Sequence, residues 1–517
     1  MLALAAALWM TSGADAATLS AGPAGSSSWT VYHQDPAGTG VATSVTALNT
    51  STRKWTSPTL DGEIYGEPLA YAGRVYVATE NDTVYALSSA TGAVVWSAHL
   101  GTPVPSGSLP CGNIAPIVGI TGTPVIDPSR GEIFVVADEM VDGRPAHMLV
   151  GLATASGRTE MTRDVDPPGA DPAALLQRTG LALDDGRVVF GMGGNYGDCG
   201  SYRGRVEAAP ETGATPRIFT VDAAPGESQG SVWMGGAAPV VGSSGHVWVT
   251  VGNGSVTSSS HAYDHSDSVL ELSSTMRLLQ FFAPRTWASD NAHDADMSTA
   301  PALLPDGQVI AAGKSRIVYL LNGAHLGGIG HEETALRSAC SNDIDGGSAV
   351  VGATVYLPCL SGVIAVRVAQ SPSALRLLWS SGTGGGPPII AAGLVWTIGQ
   401  NGVLYGLSPA TGTVRQQASI GVPANHFPTP SVGDGLLLAP SARNVVAFGS
   451  GSGGAAPASP EPALAPASDS PASSQPAPSG GGGLAPGAIA GIVVAGLAVT
   501  GGAGWLLRRR RRMTRDN

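Results

Sequence analysis

The stretch Asp290-Asn291-Ala292-His293-Asp294-Ala295-Asp296 places three carboxylates, a carboxamide and an imidazole within seven residues, a density of donors and acceptors suited to holding a small polar ligand. Further polar groups stand in short turns between apolar runs: Glu80-Asn81-Asp82, Asn195 to Asp198, Asn253, Lys314 to Arg316, Gln400-Asn401 and Arg443-Asn444. Asn, Asp and Gly are also the ordinary residues of tight turns, so each of these positions alone reads equally as a solvated turn. A second run, His261-Ala262-Tyr263-Asp264-His265-Ser266-Asp267, holds two histidines and two aspartates that could ligate zinc. Structural zinc takes four well-spaced Cys or His ligands, however, and the serines beside this run make it read as a loop.

These groups form one site only if the chain brings the turns to one place. Gly73 to Trp96 reads as three strands: Arg74 to Thr79, Thr83 to Leu87 and Ala93 to Trp96, separated by Glu80-Asn81-Asp82 and Ala90-Thr91-Gly92. The Gly-apolar-x-apolar opening recurs from Gly131, Gly186, Gly245, Gly307, Ala353, Gly393 and Gly435, at intervals of 40 to 62 residues. One such unit cannot bury its apolar faces, and the interval is that of radially repeated sheets. The expectation is an all-β, eight-bladed propeller, with seven or nine blades as alternatives. Val45 to Pro58 is a strand-like piece without a blade of its own, and the last unit, Thr429 to Gly449, supplies about three strands. Lys54-Trp55 should therefore form the outer strand of the final blade and leave no free sheet edge. In antiparallel blades the second-to-third turns and the inter-blade connections share one face, so the polar turns and the 290–296 stretch should ring one mouth. The four cysteines fall near the same face, which favours Cys340 with Cys359 and Cys111 with Cys199 over the other pairings, with free buried thiols as the alternative.

At Ala86-Leu87, Ala90-Thr91-Gly92 and Trp96 the chain resembles the pyrroloquinoline-quinone-like (PQQ-like) β-propeller repeat proteins, whose docking signature runs alanine, aspartate, threonine-glycine, tryptophan. Ser88 replaces the usual aspartate, and Trp96 and Trp379 hold the closing position. The lead-in Trp29 to Gly40 is similar to segments that open many such chains. In the quinone-dependent dehydrogenases of that superfamily the cofactor sits at the mouth with calcium. The resemblance then implies Asn253, in Val251-Gly252-Asn253-Gly254, as metal ligand and cofactor contact. It implies Asp290 or Asp294 as catalytic base, Asp294 and Asp296 as metal ligands, and Lys314 as the cation against the quinone. Lys314 is one of two lysines in the chain. Against this, those dehydrogenases carry two adjacent cysteines that this chain lacks, and Glu63, Glu67 and Glu207 compete for the glutamate ligand without a motif to mark any. Tyr263 to Ser268 resembles a family segment that would brace its turn.

Charged residues make up 13% and Gly counts 72 of 517, which suits short strands and tight turns. A net charge of −11 excludes a nucleic-acid partner, which would need a basic face. Residues 1–16 read as a signal peptide, although no Lys or Arg precedes the apolar run. Residues 17–44 are a lead-in segment and 45–449 the propeller. Residues 450–486, rich in Pro, Ala, Ser and Gly, read as a disordered stalk of roughly 100 Å if extended. Residues 487–507 are long enough for a membrane helix, and 508–517, opening with Arg508 to Arg512, form a basic cytoplasmic tail by the positive-inside rule. The sequence thus predicts a single-pass type I protein of the cell membrane with its propeller outside. The mouth would bind an unidentified protein or small molecule without a cofactor; the alternative is a PQQ- and calcium-dependent dehydrogenase of alcohols or sugars.

Overall fold

Every Gly-apolar-x-apolar run forms the second strand of a blade built on four antiparallel strands, because its alternating side chains pack against the blades on either side; Val41–Ala42 and Gly328–Ile329 each add a short parallel strand to one blade. The computed structural model describes residues 28–450, apart from Ala214 and Ser371. The predicted signal peptide, nearly all of the stalk, the membrane segment and the basic tail lie outside them. Among the described residues no helix is long and apolar enough to cross a membrane.

Eight blades span residues 69–99, 125–164, 182–220, 240–283, 302–336, 349–380, 389–419 and 431–449. The fourth strand of blade 8 is Arg53–Thr56, which pairs with Asn444–Gly449 through Trp55 opposite Ala447 and Thr56 opposite Val446. The ring closes as expected, by a strand from the other end of the domain. Inner strands are mostly buried, whereas outer strands such as Thr159–Asp164 and Val414–Ser419 largely alternate exposed and half-buried residues, having solvent on one side.

The docking signature has a physical meaning here. Trp96, on the outer strand of blade 1, donates Nε1–H to the Thr154 carbonyl of blade 2 at 3.0 Å and lies over Gly157, where a Cβ would stand 2.6 Å from its ring. Trp379 does the same from blade 6 to blade 7, with Pro409 (2.8 Å) and Gly412 (2.5 Å). Trp55 repeats it across the closing seam, with Ser89 (2.8 Å) and Gly92 (2.5 Å). The three glycines have φ between 68° and 72°, so they turn the hairpin and leave room for the indole at once.

The lead-in segment is a structural surprise. Its backbone crosses the centre of the ring: Trp29 exchanges hydrogen bonds with Ala70 of blade 1, and the Thr30, Pro36, Thr39 and Gly40 carbonyls accept from Ile126, Val241, Val350 and Ile390, on the innermost strands of blades 2, 4, 6 and 7. It satisfies polar groups that would otherwise line an open channel, and it stops that channel. Both favoured disulfides form, Cys111–Cys199 and Cys340–Cys359, with Cα separations of 5.8 and 6.0 Å.

Candidate functional site

Four of the sequence-predicted residues meet on the side of the mouth formed by blades 4 and 5. The short helix Trp287–His293 ends at Asp294, which adopts the left-handed conformation and turns the chain back toward Lys314. Lys314 Nζ lies 2.7 Å from Asp294 Oδ1 and 2.5 Å from Asp296 Oδ2. Asn253 donates its backbone N–H to Asp296 Oδ1 at 2.7 Å and its side-chain amide to Asp294 Oδ1 at 2.9 Å. Asp296 is wholly buried, and burial pushes it up to about 6 against the pull of Lys314. Burial alone would lower Lys314, but Asp296 and Asp294 hold it well above its ordinary value. Asp267, buried beside them, is raised well above the carboxylate range by burial and then by Asp296. Asp290 does not join this group: its carboxylate accepts from Thr286 Oγ1 at 2.7 Å, back on its own helix.

The other polar turns do not make an even ring. Glu80 and Asp82 are buried, and Glu80 accepts from the Gly119 N–H and the Thr121 hydroxyl of the next inter-blade segment. Asn401 binds the Tyr405 hydroxyl, and Arg443 binds the Leu60 carbonyl. The run 261–267 is a brace. Asp264 accepts from Ser266, and Tyr263 packs between Phe281 and Trp287 while donating to the Ser266 carbonyl. Among the described residues no three His, Cys, Asp or Glu side chains stand together as a metal site.

Calcium takes about six to eight oxygens. Asn253 Oδ1 is buried with no protein partner and could serve as one. The nearest carboxylates, however, already hold an ammonium, and two of the three competing glutamates are engaged elsewhere: Glu67 accepts from the His33 N–H at 2.8 Å, and Glu207 pairs with Arg205. The residues present fit a lysine better than a divalent cation, and the cysteines form two separate disulfides rather than an adjacent pair.

Two features escaped the sequence reading. The lead-in segment floors the mouth with Tyr32 and His33, whose rings stack with centroids 4.3 Å apart; the Tyr32 hydroxyl takes a hydrogen bond from the Gly347 N–H. Above this floor stand Tyr65, Phe427 and Arg178, with the guanidinium carbon 5.8 Å from the first ring and 5.4 Å from the second. None of the three sits in a motif.

The second feature lies between blades 2 and 3. His147 contacts Asp166 at 2.9 Å and Asp138 at 3.4 Å, and Arg205 joins Asp166 to Glu207. All are buried. Burial would lower His147, but Asp138 and Asp166 hold it at about 9; burial lifts Asp138 to about 7 with His147 opposing. A histidine raised in the folded state contributes stability fully below its unfolded pKa and loses it as pH climbs through about 9. Raised Asp138 acts in the same direction. The urea midpoint should therefore fall between pH 6.5 and 9.5, and His147→Gln should flatten that fall; an unchanged slope would remove His147 as its source.

Residues 5–257 match the family model described as outer membrane protein assembly factor BamB. Among solved structures, quinohemoprotein alcohol dehydrogenase from Comamonas testosteroni is similar at 16% identity, covering 84% of this chain and 82% of that one, with a TM-score of 0.60. Quinohemoprotein alcohol dehydrogenase ADHIIG from Pseudomonas putida HK5 aligns at 13% identity over 84% and 82%, with a TM-score of 0.61. A europium-containing methanol dehydrogenase aligns at 14% over 81% and 89%, with a TM-score of 0.55. At such identities the likeness is one of fold. No curated protein matches the chain.

Proposed function

The chain belongs to the PQQ-type β-propeller superfamily, and from that premise we propose that it is a non-catalytic binding propeller, displayed outside the membrane and engaging a ligand or partner protein at its mouth. The observation that carries this reading is the Lys314 ammonium between Asp294 and Asp296, which uses the oxygens a calcium ion would need. The alternative, a PQQ- and calcium-dependent dehydrogenase, is favoured by the convergence of Asn253, Asp294, Asp296 and Lys314. There Asn253 Oδ1 would help hold the metal and Asp294 would take the substrate proton, the quinone supplying the oxidation.

Reconstitution separates the two. The purified chain mixed with PQQ and calcium should show neither a rise in melting temperature nor dye-linked oxidation of alcohols or sugars, because a group that does not bind the native state cannot stabilise it. Calcium-dependent turnover abolished by Asp294→Asn would establish the enzyme instead. The membrane anchor is tested separately: protease added to intact cells should release the propeller by cutting within 450–486. Full protection would end the type I topology.

A further inference from the structure

Arg178 precedes the first strand of blade 3 and is half-buried, yet among the described residues its guanidinium makes no hydrogen bond or ion pair. Its neighbours come from segments far apart in the chain. Tyr65 leads into blade 1 and Phe427 into blade 8, while Gly236 leads into blade 4, with a Cβ there only 2.6 Å from Arg178 Nη1. Segments leading into blades 1, 3, 4 and 8 can meet only at the axis, so the guanidinium looks into a well that the lead-in segment closes below. Glu80 and the Tyr32 and Tyr65 hydroxyls lie within its electrostatic reach. Glu80 instead spends one oxygen on Gly119 and Thr121.

A half-buried guanidinium gives up part of its hydration without a hydrogen-bonded counter-ion, and two aromatic faces offset only part of that cost. Its planar fork matches a carboxylate in two parallel hydrogen bonds. One guanidinium beside a buried glutamate suits a single negative charge. The rings on either side suit a flat body. Tyr65 also packs on the cluster of Ile114, Val118 and Leu176, which with Leu109, Cys111 and Tyr196 line an adjoining cavity of about 380 Å³.

We propose that the mouth binds a small monocarboxylate with an aromatic or apolar body, its carboxylate on Arg178 and its body between Tyr65 and Phe427. This rests on the reading of the mouth as a binding site rather than a redox centre, and it needs neither quinone nor calcium. Benzoate and its neutral counterpart benzamide, titrated calorimetrically into the full-length chain without calcium or quinone, provide the test. Benzoate should bind saturably at about millimolar strength, as expected for so small a ligand. Benzamide should bind at least about tenfold more weakly, the difference one charge-assisted pair supplies. Arg178→Gln should weaken benzoate about tenfold or more and leave benzamide unchanged, with Arg178→Lys falling between. Equal binding of the two ligands, indifference of benzoate to Arg178→Gln, no benzoate binding up to about 10 mM, or stronger occupancy by inorganic phosphate would each overturn the proposal. If Arg178→Gln fails to fold by circular dichroism, the comparison of benzoate with benzamide on the unaltered chain decides. Failure here together with absent quinone turnover leaves a protein-binding propeller standing, whereas quinone turnover removes the binding reading whatever benzoate does.

Discussion

Trp55→Ala should cost about 3–5 kcal/mol of stability, the range for emptying a buried tryptophan site. Trp55 is 8% exposed and does two things at once: its strand completes blade 8, and its indole docks on Gly92 and the Ser89 carbonyl of blade 1. The equivalent tryptophans, Trp96 and Trp379, join blades that are consecutive in the chain, so a weakened seam there is still tied covalently. The seam of Trp55 joins residues nearly 400 positions apart, held by strand pairing, by this side chain and by hydrogen bonds such as those of Arg443 to the Leu60 carbonyl and Ser431 to the Pro68 carbonyl. Loosening it exposes the edge of Asn444–Gly449, so amide exchange in that strand should rise together with the fall in the urea midpoint. Trp55→Phe keeps most of the apolar contact and loses the hydrogen bond, which should cost about 1 kcal/mol beyond any packing loss. A change under about 0.5 kcal/mol for Trp55→Ala, typical of surface positions, would mean that the ring is closed by backbone pairing alone.

The ring itself was legible because its signals are local. Strand alternation and the glycine before each second strand repeat within short windows, so blade count, the closing strand and both disulfides follow from spacing. The third docking tryptophan is harder to see, since Trp55 precedes its own blade by the length of the domain and only ring closure gives it a partner. The lead-in segment crosses the axis through backbone carbonyls, which carry no residue signature. Arg178 lies in Leu175-Leu176-Gln177-Arg178-Thr179-Gly180, where nothing distinguishes it from a surface arginine until segments from four blades surround it. The same holds for His147, whose partners Asp138 and Asp166 come from another strand and an inter-blade connection, with Arg205 of the next blade joining through Asp166. Asn253, Asp294, Asp296 and Lys314 were nominated through a family resemblance rather than by their own spacing. The structure brings them together but returns Asp290 to its helix.

Lys314→Met should destabilise the protein by about 3 kcal/mol, the lower end for breaking a buried ion pair, because Asp294 is largely exposed and can be solvated whereas Asp296 cannot. Without the ammonium, Asp296 is left as a wholly buried carboxylate against Asp267, and its affinity for a proton rises further. A carboxylate whose folded pKa lies above its unfolded one destabilises increasingly as pH climbs past the unfolded value. The loss should therefore be small near pH 5 and largest at pH 8. Asp296→Asn in the Lys314→Met background should recover most of it, since no buried charge is then left unpaired. Calcium supplies a second readout. With the ammonium gone, Asn253 Oδ1, Asp294 and Asp296 are free to face a divalent ion, so about 1 mM calcium should raise the variant's melting temperature while leaving the unaltered chain's unchanged. A pH-independent loss would show that the ammonium acts through the face of Trp233, whose ring centre lies 5.6 Å from Nζ, rather than through Asp296. A calcium response in the unaltered chain would show that the ammonium does not occupy the metal's place, and would return the dehydrogenase reading to the front.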